Sequence, residues 1–564
     1  MPRALAVVAA FEMRQQLRSG VFVVVFLLSF MMVLGSVSVD QLRVGLSETG
    51  LRNGPEAIVR THLVWTLFFL FTSAAFVTDA VLRDDLTGFG PIIWSTPLKR
   101  RDYLLGRFAG SFLAVVVCFT SVPLGLVVGS VMPWVDQTTV GAFEPAAYAI
   151  ALVVFSLPNL FLSSAVALGL ATLFRSLTAA FLGAVALLVL YGVGEHGGAV
   201  RHSSALLEPF GFASFAQDAS GFEAGKALHL SPLLIANRML WCGFGAALVA
   251  LPFLYPVLGR RETARPPKVE EAGPLAMPAT FRLPPPRFGW ATTLVQMQVR
   301  TRLEINAIVR TETFGALLVL GATSAAASLW SLHGPTTDTV ILTLFAKMQV
   351  LPTVVVLFFS GQLFWREHEL NLAGLLGATP ASDPVLMIPK LLALFLVLAS
   401  LAAAGALAGV LIQALQAAPI DVIAYVTNWF WPATFDWCLL AVLAVFLQAL
   451  TPNKLAGWGL FVLFLVASLA ADRLGVNDPR YRFGQHPGWP LPAELSGQPS
   501  IGLFRVYWGS VSLCLALIGA ALAGRTPEPL LARLCSLPAR LSRVAAVMLI
   551  GGSLAFLGAA LALW

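Results

Sequence analysis

His368 and Glu369 open the pattern H-E-x-x-H, in which two histidines one helical turn apart hold zinc and the glutamate serves as base. Position 372 is Leu, so the second ligand is missing and His368 reads as an interfacial polar residue. Phosphate chemistry fails a similar test. No G-x-x-x-x-G-K-S/T occurs, and the Gly225 and Lys226 pair runs into Ala227. Cys118, Cys242, Cys438, Cys514 and Cys535 show neither metal-ligand nor disulfide-framework spacing, and the first four lie inside apolar runs as small core hydrophobes. No Ser, His and Asp set has a context that would make it a triad. No catalytic residue, metal ligand or cofactor is therefore expected on this chain, and nucleotide hydrolysis is not expected of it.

A different pair of stretches is more informative. "LRDDLTGFGPIIWSTPLKRRDYLLGRF", residues 82–108, is charged at both ends and apolar in the middle. The chain repeats it 283 residues further on as "WREHELNLAGLLGATPASDPVLMIPKL". Arg83 matches Arg366, Asp84 matches Glu367, Thr96 matches Thr379, Pro97 matches Pro380 and Arg107 matches Lys390, without a gap. The basic cluster is not kept, since "LKRRD" in the first copy becomes "ASDPV" in the second.

The elements around these stretches follow from composition. With 58% hydrophobic residues, 12% charged residues and a mean hydropathy of +0.81, a chain of 564 residues lacks the polar surface of a soluble protein. An all-α polytopic membrane protein is expected. Runs of about 20 apolar residues mark thirteen spans at 20–39, 62–81, 108–132, 146–173, 177–194, 233–258, 311–331, 341–364, 391–413, 428–450, 455–471, 502–524 and 544–564. Glu12, Arg14 and Arg18 precede a first run long enough to span, which disfavours a cleaved signal peptide. A cytoplasmic N-terminus puts most of the 36 Lys and Arg on the cytoplasmic side, so the net charge of +7 reflects orientation and not nucleic acid.

Six spans precede a Pro-rich cytoplasmic linker at 260–290 and six follow it. A basic amphipathic stretch opens each half, "FEMRQQLRS" and "VQMQVRTRL", and each half has a long outer loop, 195–232 and 472–501. Such duplication is common in transporters, whose halves rock around a central site. Ionisable residues in the spans are substrate-contact candidates by default. Asp79 and Glu312 fall near the inner face, and Arg238, Lys347 and Asp436 near the outer face, where anchoring by snorkelling is the expected role. Trp65, Trp134, Trp241, Trp429, Trp431 and Trp508 cluster at outer ends of spans, as an aromatic belt would.

An acidic residue after Arg, an apolar centre, Thr-Pro and a later basic residue, between spans two and three and behind an amphipathic opening, resembles the permease of an ABC-2 type exporter. The resemblance covers essentially all of residues 1–530. It implies two permease units in one chain, 1–259 and 291–524, with elbow helices at 4–18 and 294–305. It implies coupling segments at 83–107 and 366–390 that dock on two copies of a cytoplasmic ABC ATPase, which would carry the ATP and Mg. The coupling residues would be Arg83, Asp84, Leu86, Phe89, Ile92, Ile93, Trp94, Thr96 and Pro97, with Arg366, Glu367, Leu370, Leu372, Leu375, Leu376, Thr379 and Pro380. Apolar side chains would anchor each segment in a groove, and the charged ends would keep it at the interface.

Residues 525–564 add a cytoplasmic loop and a thirteenth span, which moves the C-terminus outside. That arrangement is similar to a subset of these permeases in which an extracytoplasmic zinc aminopeptidase domain follows. None of that domain's motif occurs here, and the finish at Trp564 suggests a trimmed or split chain with a peptidase domain or partner outside. The localisation implied is a bacterial-type inner membrane. The alternative function is a non-transporting membrane anchor or assembly protein for an extracytoplasmic enzyme.

Overall fold

The computed structural model describes residues 2–38, 51–196, 205–219, 231–254, 289–330, 332, 334–370, 372–379, 383–473, 475–487, 501–523 and 530–563. Helix dominates, at about 85%, and no strand occurs among the described residues. Nine of these helices are long and apolar enough to cross a membrane, or up to eleven if each of two bent pairs is one span. Two shorter apolar helices, Leu177–Gly192 and Ala456–Ser468, lie where spans five and eleven are expected. This is an all-α architecture of the multi-pass membrane class. The chain divides into two compact units, Met1–Pro286 and Arg287–Trp564.

In the first unit, α1 (Pro2–Leu17) turns at Ser19 into α2 (Gly20–Ser38). The Ser19 hydroxyl accepts from the Phe22 amide at 3.1 Å, satisfying one of the donors a helix start leaves open. Helix α3 (Pro55–Leu86) begins on Pro55, whose missing N–H costs nothing at a first turn. Gly88, at φ +76°, reverses the chain into the five-residue α4 (Gly90–Trp94), and α5 (Arg100–Phe119) leads into α6 (Ser121–Ser130). After α7 (Pro145–Ile150), a π-turn at Ala151–Ser156 precedes α8 (Leu157–Phe174), whose second residue is Pro158. A proline lacks the amide that the regular ladder needs, and a wider turn absorbs the fault. Helices α9 (Leu177–His196), α10 (Phe212–Ala219) and α11 (Pro232–Leu254) complete the unit. Its core joins Val33, Ile58, Phe69, Phe119 and Leu234 from four long helices with Phe155 of the π-turn.

The second unit runs α12 (Trp290–Val309), α13 (Glu312–Trp330), α14 (Thr337–Lys347), α15 (Val350–Glu369), the five-residue α16 (Ala373–Gly377) and α17 (Asp383–Leu415). A turn of helix, α18 (Val422–Ala424), and a π-turn at Tyr425–Phe430 precede α19 (Trp431–Leu450), again with proline second, at Pro432. Helices α20 (Lys454–Arg473), α21 (Ile501–Leu522), α22 (Leu530–Cys535), α23 (Leu537–Arg540) and α24 (Arg543–Leu563) follow, with α24 packed on α21. Here α14 and α15 meet at a 48° bend, where the first unit has the single helix α3. The Thr311 hydroxyl accepts from the Phe314 amide at 3.3 Å, the same device as Ser19 and Phe22. Most of the expected linker, 260–288, lies outside the described residues.

Candidate functional site

The two expected coupling segments each fold as a helix end, a short helix and a helix start. The short helices α4 and α16 stand 283 residues apart, at equivalent positions of the repeated stretch. Each is closed by its threonine: the hydroxyls of Thr96 and Thr379 donate to the carbonyls of Ile93 and Leu376, both at 2.6 Å. The Thr-Pro pair is therefore a stop signal, since the hydroxyl takes an orphan carbonyl and proline cannot continue the helix. Pro97 is exposed, and Pro380 lies outside the described residues. Phe89 and Ile92 are 57% and 58% exposed, and Leu370, Leu372 and Leu375 present the corresponding apolar surface. Ile93 and Leu376 are half-buried. Trp94 is also half-buried, with its ring edge-on to Tyr103 at 5.2 Å. Leu86 ends α3; its side chain is outside the described set.

Asp85, Lys99 and Arg101 at the charged ends are exposed, but Arg83, Asp84 and Arg107 turn inward. Glu12 of α1, 0% exposed, accepts from Arg83 of α3 at 3.0 and 3.3 Å and from Arg107 of α5. Arg107 also reaches Asp84, which accepts from the Tyr103 hydroxyl at 2.6 Å. Gln16 donates to Glu12 at 3.0 Å and to the Phe76 carbonyl at 3.3 Å, and Asp79 pairs with Arg83. One guanidinium fork thus bridges two carboxylates, which a lysine's point charge does less well. A buried carboxylate beside two cations avoids most of the desolvation cost that sends charges to a surface. The interaction path runs from α4 through Trp94, Tyr103, Asp84 and Arg107 to α1.

The second unit builds a related clamp from other residues. Glu304 of α12 pairs with Arg366 at 3.3 Å and with Arg300 at 3.5 Å. Arg300 also pairs with Glu367, and Lys390 reaches Glu367 at 3.1 Å and the Phe364 carbonyl at 3.4 Å. The bridging guanidinium comes from α12 here and from α5 in the first unit, as expected where Lys390 replaces Arg107. Arg366 keeps 44% of its side chain exposed, so this clamp is the more hydrated. Glu304 stands to Arg366 as Glu12 stands to Arg83, which aligns "LRSGVF" at 17–22 with "VRTETF" at 309–314. The counterpart of "FEMRQQLRS" in this alignment thus lies further along than "VQMQVRTRL". Neither Glu12 nor Glu304 is among the coupling residues expected from sequence. Each is the only acid in its opening helix, a signal that was there to use.

Close packing holds α1 on α5. A Cβ at Gly106 would lie 2.7 Å from Val8 Cβ, and one at Gly110 would lie 2.4 Å from the Ala9 carbonyl oxygen. This G-x-x-x-G spacing lets two backbones touch. Gly110→Leu is expected to lift α1 off α5 and expose Glu12. A cysteine at Ala9 would then react with a thiol reagent at least about tenfold faster than in the parent, a change of about 1.4 kcal/mol in the opening equilibrium. Equal rates would show that the contact does not hold α1.

Several residues expected at the outer face lie inside. Arg238 does not snorkel: it donates to Asn159 at 2.7 Å and to the Pro209 carbonyl at 3.2 Å, and is 7% exposed. Asp436 is buried too, while Lys347 is exposed. Trp65, Trp429 and Trp508 are buried and belong to the core, whereas Trp134 and Trp431 are exposed. Segments of both expected outer loops, around 205–219 and 475–487, fold back on their units and cover Arg238, Asp436 and Trp508, whereas Trp429 packs between Phe345 and Trp437 and donates to the Ala402 carbonyl at 2.8 Å. Cys118 is buried, but Cys535 is exposed. Among the described residues no group of three or more His, Cys, Asp or Glu could hold a metal ion. No protein-family model matches this chain, and no curated protein matches it.

Proposed function

We propose that the chain is the transmembrane permease subunit of an ATP-binding-cassette exporter, two six-span units and one extra C-terminal span in a bacterial-type inner membrane. Its N-terminus is cytoplasmic and its C-terminus extracytoplasmic on this reading. Two copies of a separate ATPase, which carry the ATP and Mg, dock on α4 and α16 and drive alternating access. The observation that carries the reading is the pair of five-residue helices at equivalent positions, each exposing apolar side chains and each adjoining buried or half-buried ion pairs to an elbow helix. A loop that only satisfied the positive-inside rule would need neither the exposed apolar centre nor the clamp. The ion pairs give a rigid lever, because a force on α4 is carried by charge-assisted bonds into α1, α3 and α5 together. Affinity purification of the full chain from native membranes is expected to recover an ABC ATPase in about two copies per chain. Recovery of an extracytoplasmic enzyme with no ATPase would replace this reading with the anchoring alternative.

A further inference from the structure

Where α5 begins, one guanidinium is left without a partner. Arg100 is the first residue of α5, and its Nε and Nη2 atoms are buried with no hydrogen-bond partner. Those two nitrogens share one edge of the guanidinium, the edge whose parallel N–H bonds take both oxygens of a carboxylate or a phosphate. Asp102, the acid of the same turn, is not joined to it. The acids of the first unit's clamp are engaged elsewhere, since Glu12, Asp79 and Asp84 are held by Arg83 and Arg107.

The surroundings add positive potential. Arg175, the residue that closes α8, stands near enough for its charge to act on Arg100. It is held at φ +50°, a left-handed conformation in which helices ordinarily end on glycine, so the chain keeps a cation at this corner against a steric penalty. Lys99, in the N-cap position, brings no side-chain acceptor to the first turn of α5, whose open amides also favour an anion. A buried charged donor left unbonded is costly. A two-donor fork, a second cation and a helix start converge here, and the described chain gives the fork no acceptor.

The depth of this corner in the fold selects the anion. Arg100 opens the apolar stretch Arg100–Ser130 and Arg175 directly follows the apolar stretch Pro145–Phe174, each long enough to cross a membrane. Phe174, the last residue of its stretch, is 52% exposed. Apolar helices that start and stop together put the corner where hydrocarbon gives way to headgroups, and basic pockets between spans hold lipid phosphates. We propose that Arg100 and Arg175 bind the phosphate of an anionic phospholipid, with the Arg100 fork taking two phosphate oxygens and Arg175 adding charge. This needs only the multi-pass membrane class and does not rest on the permease reading. It assigns one such site per chain, because the position matching Arg100, 283 residues on, is Asp383. A carboxylate there repels an anion.

Native mass spectrometry of the full chain, stripped of lipid in detergent and titrated with phosphatidylglycerol, phosphatidylcholine or inorganic phosphate, tests this. Phosphatidylglycerol is expected to fill one site per chain about tenfold more tightly than phosphatidylcholine, whose choline cation meets two arginines. Arg100→Gln is expected to weaken that site about tenfold, and Arg101→Gln, at an exposed neighbour, to leave it unchanged. Without lipid the Arg100→Gln protein should melt no lower than the parent, because it gives up donors that have no partner, and phosphatidylglycerol should raise the parent's Tm by more. No preference for phosphatidylglycerol in the parent protein would overturn the site without recourse to any variant. So would equal affinity in the Arg100→Gln protein, or an equal loss in the Arg101→Gln protein, which would mean diffuse attraction. Displacement of the lipid by inorganic phosphate would give the site to a free ion and overturn the lipid assignment. Loss of ATPase association in the Arg100→Gln protein with lipid binding unchanged would give the fork to a carboxylate of a protein partner.

Discussion

Glu12→Ala is expected to destabilise the first unit by about 3–5 kcal/mol, the cost of leaving a buried cation without its partner. Arg107 is 6% exposed on its side chain, and Glu12 is one of its two carboxylates. Removing Glu12 also strips Arg83 of a buried acceptor, leaving it with Asp79, which is more than half exposed. Glu12→Gln, which keeps two polar atoms and the volume but loses the charge, should fall between the parent and the alanine variant. The matching change Glu304→Ala should cost less, about 1–2 kcal/mol, because its partner Arg366 is half in solvent and water screens the loss. Thermal unfolding in nanodiscs, read separately for each unit by reporters on α1 and α12, checks the order. A first unit indifferent to Glu12 would remove the clamp as a structural element.

The second large effect concerns binding. On the permease reading, replacing Phe89 and Ile92 together with Asp should weaken ATPase association by about 4 kcal/mol, about three decades in Kd, because each apolar anchor contributes about 2 kcal/mol. The fold should tolerate it, since both side chains stand more than half in solvent. Ile93 and Trp94 are poorer probes than their sequence suggests. Trp94 packs on Tyr103, so its loss would disturb the clamp as well as the surface. Binding of the purified ATPase to nanodisc-held chain gives the answer. Unchanged affinity with a folded permease would mean that α4 is not the docking surface.

What the sequence determined by itself is what depends on local composition. Apolar runs require helix, because a helix satisfies its backbone internally, and among the described residues nine helices, or up to eleven if each bent pair is one span, are long and apolar enough to cross a membrane. The ungapped match of Arg83, Thr96 and Pro97 to Arg366, Thr379 and Pro380 likewise placed two short helices at equivalent positions, since helix stops are local chemistry. Only the tertiary structure decided what the charges do. Arg83, Asp84 and Arg107 look like a polar rim along the chain, yet they turn inward because Glu12 arrives from 71 positions earlier to meet Arg83. Arg238, Asp436 and Trp508 look like residues of a membrane boundary, yet they are covered because distant loop segments fold over them. Whether a charge faces water or a partner depends on which other segment occupies the space beside it. Hydrophobic periodicity along one segment carries no information about that neighbour.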